Sequence, residues 1–382
     1  MNENGNEKLN NSVETPDDEL IVRKRAKFDE GSLKEIDNPY QSSAPGEAPK
    51  AEEHKPDTAQ AESEKTEAEK TEPDKKPKKK KSVLAIIVLV IALIAFAVSA
   101  LIIVRNIYLS KKNQQQSQAL AESINGAEDD DTVGPDGIFE KYRALYNQNQ
   151  DFVGWIRIPG TSVNHPVVKA ADNDFYLHRG IDKKYDVRGT VFMDYRDHID
   201  ELCKNTILYG HNNLDSTMFS DLEKYKNVEF YKQSPIIEFN TIYKNYKWKI
   251  IAVYYTNADD KDDNGYALNY IYPFMTDDSF NTYIIEMMER TLYFTGVDVN
   301  KYDKILTLST CTRDMDIRGR GETNARFVVI GRLVREGESA DVDVSQVTLN
   351  DNPRYPQIWY DIHNQPNPYA SYERWYPEGV EY

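Results

Sequence analysis

"LTLSTCTRD", residues 306–314, alternates leucine with hydroxyl residues and ends its apolar run on a cysteine. Read as a strand, it sends Leu306 and Leu308 to one face and Thr307, Ser309 and Cys311 to the other. A structural cysteine would sit inside the apolar run. Cys311 instead stands at its lip, where a strand presents a side chain to solvent or to a groove. A thiol is a weak nucleophile until a base or a cationic neighbour favours the thiolate. The segment therefore asks for partners elsewhere in the chain, with Ser309 and Thr310, just before the thiol, as candidate substrate contacts.

A base is offered by "NTILYGHNN" (205–213), an apolar strand followed by Gly210 and His211. Of the six histidines, His54 precedes the apolar segment described below and His363 lies in the C-terminal stretch. His165 sits within a strand beside Pro166, while His178 and His198 fall in charged loops. His211 alone joins a strand end to a turn-forming glycine. A cation is offered by "ETNARFVVIGRLV" (322–334), where Arg326 opens the strand after the cysteine strand. If the two strands pair, Arg326 lies near Cys311 and can donate to a developing oxyanion. Fourteen residues separate Cys311 from Arg326, so Arg318 and Arg320 in "DIRGRGE" stay as rivals.

The compartment decides what the two cysteines, Cys203 and Cys311, can do. Val83–Val104 is a 22-residue apolar run, about 33 Å long as a helix and enough to cross a bilayer. Lys75, Lys76 and Lys78–Lys81 flank it on one side, against Arg105, Lys111 and Lys112 on the other. The positive-inside bias predicts a single-pass anchor with the N-terminus in the cytoplasm and the rest outside. Before Lys75 stand 20 acidic and 10 basic residues with almost no aromatics, a composition too polar to bury a core, so disorder is expected there. Outside the membrane two cysteines can form one disulfide, or be one reactive thiol and a bystander; counting leaves both open. A net charge of −16 without a basic stripe argues against a nucleic-acid partner.

The domain limits expected are a cytoplasmic tail at 1–81, a membrane helix at 82–104, a linker at 105–136, a catalytic domain at 137–336 and an aromatic, Pro-rich extension at 337–382. At the head of the catalytic domain, "IFEKYRALYNQN" (138–149) puts Ile138, Tyr142 and Leu145 on one helical face. Apolar runs at about 152–158, 163–169, 189–193, 205–209, 235–241, 246–256, 304–310 and 326–335 predict eight short strands in a closed or nearly closed barrel. Thr276 caps a helix with Asp277 and Asp278 in its first turn and a core stripe of Phe280, Tyr283, Ile284, Met287 and Met288. "DDKDDNG" (259–265) begins like a calcium loop, but Ile271 stands where the bidentate carboxylate belongs, so an acidic hairpin is expected. No zinc, phosphate-loop or serine-nucleophile pattern is found, and no metal or cofactor is expected. The extension reads as a mostly irregular tail, with stacking on sugars or wrapping back on the domain as alternatives.

Together these segments resemble the sortases, membrane-anchored cysteine transpeptidases of Gram-positive bacteria. "TLSTC" (307–311) fits the family's TLxTC motif, "YGH" (209–211) its histidine segment, and Arg326 in "RFVVIGRL" its arginine. "DFVGWIRIPGTSVNHPVV" (151–168), "DNDFYL" (172–177) and "GTVFMDYRD" (189–197) look like class B members. The likeness covers residues 137–335 and excludes the long N-terminal tail and the aromatic C-terminus.

The resemblance implies an eight-stranded β-barrel with peripheral helices, and a reaction on secreted proteins bearing a C-terminal sorting signal. Cys311 would attack the threonine carbonyl of a Thr–(Gly/Asn/Ala) bond, Arg326 would hold the oxyanion, and His211 would serve the leaving and incoming amines. The acceptor would be an amine of a peptidoglycan precursor or, alternatively, a pilin lysine. Asp314 or Asp316 is a candidate to tune the Cys–His pair. A rival of another class is a non-catalytic, wall-binding surface protein using the aromatic tail.

Overall fold

Eight strands close into a barrel in this computed structural model, which describes residues 83–126, 130–258, 268–316, 323–372 and 375–377. The N-terminal tail, the lysine cluster, the acidic hairpin at 259–265 and both rival arginines, Arg318 and Arg320, lie outside the described residues. In chain order the strands are β1 (Phe152–Arg157), β2 (Asn164–Val168), β3 (Val191–Met193), β4 (Asn205–Tyr209), β5 (Ile236–Thr241), β6 (Lys247–Asn257), β7 (Tyr293–Phe294), β8 (Ile305–Cys311), β9 (Ala325–Leu333) and β10 (Thr348–Leu349). The barrel runs β1-β2-β3-β4-β8-β9-β6-β5, and β5 pairs back onto β1. Pairs β2–β3 and β4–β8 are parallel; the others are antiparallel. The eight expected runs are these barrel strands. Strands β7 and β10 form a separate ribbon, too short to leave a periodic signal.

Leu306 and Leu308 point into the barrel with Val329, Phe327, Ile250 and Val253, all fully buried. Each leucine contributes about 2 kcal/mol by leaving water. The other face of β8 is covered too, up to Cys311 at its end. Thr307 and Ser309 are 0% exposed, because a second apolar layer closes over that side of the sheet. It comprises helix α4 (Asp277–Arg290) and the segment 268–275. Phe280, Tyr283 and Met287 of α4 pack against Ile251, Ala252 and Tyr254. The Thr276 hydroxyl accepts from Ser279 N at 3.2 Å, capping the helix as its sequence predicts.

At the other flank, a turn at Glu140–Tyr142 leads into α2 (Arg143–Gln148), and Ile138, Tyr142 and Leu145 bury against Phe152 and Trp155. Helix α1 (Val83–Asn125) runs 21 residues past Val104, where the apolar run ends. Its continuation lacks glycine and proline until Gly126 and is rich in Gln, Ala, Lys and Ser, so nothing local stops it. Ile124, with Leu120 and Ala121, seats the end of α1 on the α2–β1 cluster. Within it Ile86–Arg105 is long and apolar enough to cross a membrane.

The C-terminal stretch wraps back on the domain. Helix α3 (Val228–Gln233) lies earlier in the chain, and α5 (Gln357–His363) is the helix of the extension. Ile358 of α5 packs on Met315 and Ala325, and Trp375 packs against Tyr272 and Tyr283. The rings serve each other: Trp359 stacks on Tyr355 at 4.0 Å and on His363 at 4.1 Å. Arg354 lies over the rings of Tyr369 and Tyr372. These faces are used internally, which weakens the reading of a sugar-stacking tail.

Candidate active site

Pairing of β8 with β9 sets Cys311 directly opposite Arg326. The two strands are joined end to end by one loop, so the last residue of the first meets the first residues of the second. Arg326 is in turn paired with Thr256 of β6. Its side chain is 3% exposed and donates from Nη1 to the Ala325 carbonyl at 3.1 Å. Cys311 is half-buried, at the edge of the covering layer.

His211 arrives by the other side of β8. Strands β4 and β8 run parallel, with Tyr209 opposite Ser309, and the chain leaves β4 through Gly210, His211 and Asn212 at the same end where β8 finishes in Cys311. Three bonds stitch the ends together. Gly210 N donates to Ser309 O at 3.2 Å, Thr310 Oγ1 to Gly210 O at 2.7 Å, and Asn212 Nδ2 to Cys311 O at 3.0 Å. Gly210 has to be glycine because a Cβ there would stand 2.7 Å from the Phe219 ring.

The imidazole is held by the turn Phe175–His178. His211 Nε2 lies 2.8 Å from Leu177 O. A carbonyl only accepts, so Nε2 carries the hydrogen and Nδ1 is the nitrogen that gains or loses a proton. Burial holds His211 below the ordinary histidine range, outweighing the Leu177 bond, and His178 and Arg326 add to the depression. Neutral imidazole therefore dominates near neutral pH.

Ser309 and Thr310 are buried and bonded within the protein. Ser309 Oγ is 2.7 Å from Tyr270 Oη, and Thr310 bonds Gly210 O. Tyr270 belongs to the covering segment 268–275 and lies in the electrostatic reach of both Arg326 and Cys311. Neither Asp314 nor Asp316 bonds His211. Asp314 accepts from Tyr255 Oη at 2.6 Å and pairs with Lys226, while Asp316 accepts from Thr323 N. The carboxylates expected to tune the Cys–His pair thus anchor the loop after Cys311 instead.

Both cysteines are unpaired. Cys203 is buried, and burial with the nearby Asp197 pushes its thiol up to about 12, so it stays un-ionised. Among the described residues no group of three or more His, Cys, Asp and Glu is placed to hold a metal.

A half-buried thiol, an imidazole depressed by burial and a buried guanidinium are thus carried on neighbouring strand ends, groups of the kind that acyl transfer uses. The fold and this constellation define a sortase-type cysteine transpeptidase: the chain belongs to the sortase family. The family's domain model matches residues 156–334. Sortase B of Listeria monocytogenes is 35% identical over 195 residues, which cover 51% of this chain and 74% of that protein. Sortase B of Staphylococcus aureus is 34% identical over 196 residues, covering 51% and 75%. The solved Staphylococcus aureus sortase B–substrate complex superposes with a TM-score of 0.52 at 30% identity, over 59% of this chain and 98% of that one. The same enzyme complexed with MTSET gives 0.51 at 31% identity, over 59% and 89%. The likeness is to class B.

Sequence reasoning misses His178, Leu177, Asn212 and Tyr270. The pair "NN" after His211 is a visible signal for Asn212; a backbone carbonyl such as that of Leu177 leaves none.

Proposed function

We propose that this chain is a membrane-anchored sortase that cuts secreted proteins at a C-terminal sorting signal and joins them to an amine. The observation that carries it is the strand-end geometry: Cys311 opposite Arg326 across β8–β9, with the two residues that flank His211, Gly210 and Asn212, bonded to Ser309 and Cys311. In this reading the Cys311 thiolate attacks the threonine carbonyl carbon of the signal, and the carbonyl electrons move onto oxygen. The Arg326 guanidinium donates to that oxyanion. Being buried and sheet-bound, it reorganises little as charge develops. The tetrahedral adduct collapses to a thioester as His211 Nδ1–H protonates the departing amine. Nδ1 then takes a proton from the incoming amine, which attacks the thioester and expels the Cys311 thiolate, so the thiolate and the protonated Nδ1 that began the cycle are restored. Burial that depresses His211 makes its imidazolium scarce at neutral pH but a stronger acid towards the leaving amine. Ser309 and Thr310 contribute by holding Tyr270 and Gly210 in place.

Relatives support the partner classes. Staphylococcus aureus sortase B has been solved with a substrate, and a sortase B structure with a TM-score of 0.51 is complexed with triglycine. We take the acceptor to be a peptidoglycan-precursor amine. Incubating the full chain in detergent with a library of sorting peptides and amines, read by mass spectrometry, is expected to yield amide-joined products cut after threonine. Products joined only to a pilin lysine would replace the acceptor; no product with any pair would overturn the reading.

The same proposal places 1–81 in the cytoplasm, 82–104 in the bilayer and 137–336 outside as the catalytic domain, with 105–136 between. The lysine bias across the apolar run supports this orientation. Protease added to intact protoplasts should remove the barrel and spare an epitope placed before Lys75. Loss of that epitope with the barrel protected would reverse the topology.

A further inference from the structure

The site holds a second imidazole that the proposed reaction does not use. His178 and His211 stack with ring centroids 5.9 Å apart and planes 14° from parallel. One turn supplies both restraints on His211, since Leu177 O takes its Nε2 hydrogen and His178 lies against its face. That turn is itself pinned. Thr190 N donates to Tyr176 O at 3.1 Å and Asp186 N to His178 O at 3.0 Å. The Tyr176 hydroxyl is bonded by Asn149 and donates to Asp151. Gly189, at φ +61°, comes so close that a Cβ would stand 2.5 Å from Leu177 O.

The geometry points to His178 as a positioning residue for His211, a stacked partner that orients its ring and whose charge sets when it takes up a proton. His178 is exposed while His211 is half-buried, so His178 faces bulk water on one side and the His211 ring on the other. Arg326 is the other charged group that acts on His211, and the remaining charges on the neighbouring elements have partners of their own. Arg326 stands on β9 and the Cys311 thiol on β8. Arg179, beyond His178, is held by the Phe175 ring and carbonyl. On the His211 loop Asp215 pairs with Arg188, and Arg313 bonds Asn212 O. The arginines carry fixed charge; an imidazole is the side chain that changes charge between about pH 5 and 8. A charged His178 opposes an imidazolium on His211, in the direction of the depression that His211 shows. Removing that charge lets His211 protonate at higher pH.

The test is an NMR titration of the full chain in detergent, with histidine Cε1 labelled and His211 assigned by the loss of its signal in His211→Gln. His178→Phe keeps a ring to stack and removes the charge; His178→Asn removes both. The His211 midpoint is expected to move to higher pH in both variants. In the parent, raising salt from about 0.01 M to 1 M should move it the same way, because an exposed charge is screened at that ionic strength. In turnover assays the acidic limb of kcat/KM should follow the titration. His178→Asn should lose about threefold to tenfold more rate than His178→Phe, the worth of a ring pair of this geometry. A midpoint unchanged in both variants, or moved to lower pH, overturns the inference. The titration reads His211 directly and so decides the matter without turnover. The catalytic role proposed for His211 is tested separately, since His211→Ala retaining full activity would remove that role and leave the titration result standing.

Discussion

Cys311→Ala is expected to abolish transpeptidation, with a loss of at least about 10⁴-fold in kcat, the scale on which removing a nucleophile acts in enzymes that form acyl intermediates. Cys203→Ala should behave differently. Its thiol is buried and pushed up to about 12, and His198 N donates to its sulfur at 3.4 Å, so it has neither the charge nor the access to attack a carbonyl. Product formation from one sorting peptide and one amine, followed by chromatography, compares the two variants directly. A Cys311→Ala protein that still makes the amide, or a Cys203→Ala protein that does not while remaining folded, would move the nucleophile away from the end of β8.

Arg326→Lys is expected to lower kcat by about 10²–10³-fold, the usual result of losing one preorganised oxyanion donor. Lysine keeps the positive charge, so the loss isolates the planar, multi-donor guanidinium. The position explains the size. Arg326 is paired with Cys311 on one side and Thr256 on the other, so its backbone cannot drift to let a shorter donor reach. Arg318→Lys and Arg320→Lys should turn over near the parental rate. Near-normal turnover in Arg326→Lys together with collapse in either of the other two, with folding checked by circular dichroism, would show the wrong arginine had been chosen.

What can be read from sequence follows the range of the interactions involved. Strand periodicity is local, so all eight barrel strands show in their own residues. The Cys311–Arg326 contact is nearly local as well: one strand ends at the cysteine, a loop follows, and the next strand opens at the arginine. The segment that carries His211 meets the end of β8 across a parallel pair whose members lie a hundred residues apart. No periodicity encodes that meeting, and it is legible only through the motif likeness. His178 reads as a loop histidine because its importance comes from the turn that folds it over His211, not from its neighbours in sequence. Ser309 and Thr310 share a strand with the thiol, but the layer of α4 and 268–275 that buries them is brought in from elsewhere. Asp314 and Asp316 look well placed for tuning when only spacing is considered. Lys226, Tyr255 and Thr323 claim them in three dimensions. Helix α1 outruns the apolar segment because that run ends at Val104 while the helix-forming residues continue to Asn125.

The most direct test of the account is to catch the intermediate. The full chain in detergent is mixed with a sorting peptide in the absence of amine, quenched in acid, digested and mapped by mass spectrometry. The account predicts the acyl fragment ending in threonine on the peptide that carries Cys311, released by hydroxylamine as a thioester is. An acyl fragment on Cys203 or on another residue, or a cut peptide with no covalent enzyme at any quench time, would contradict it.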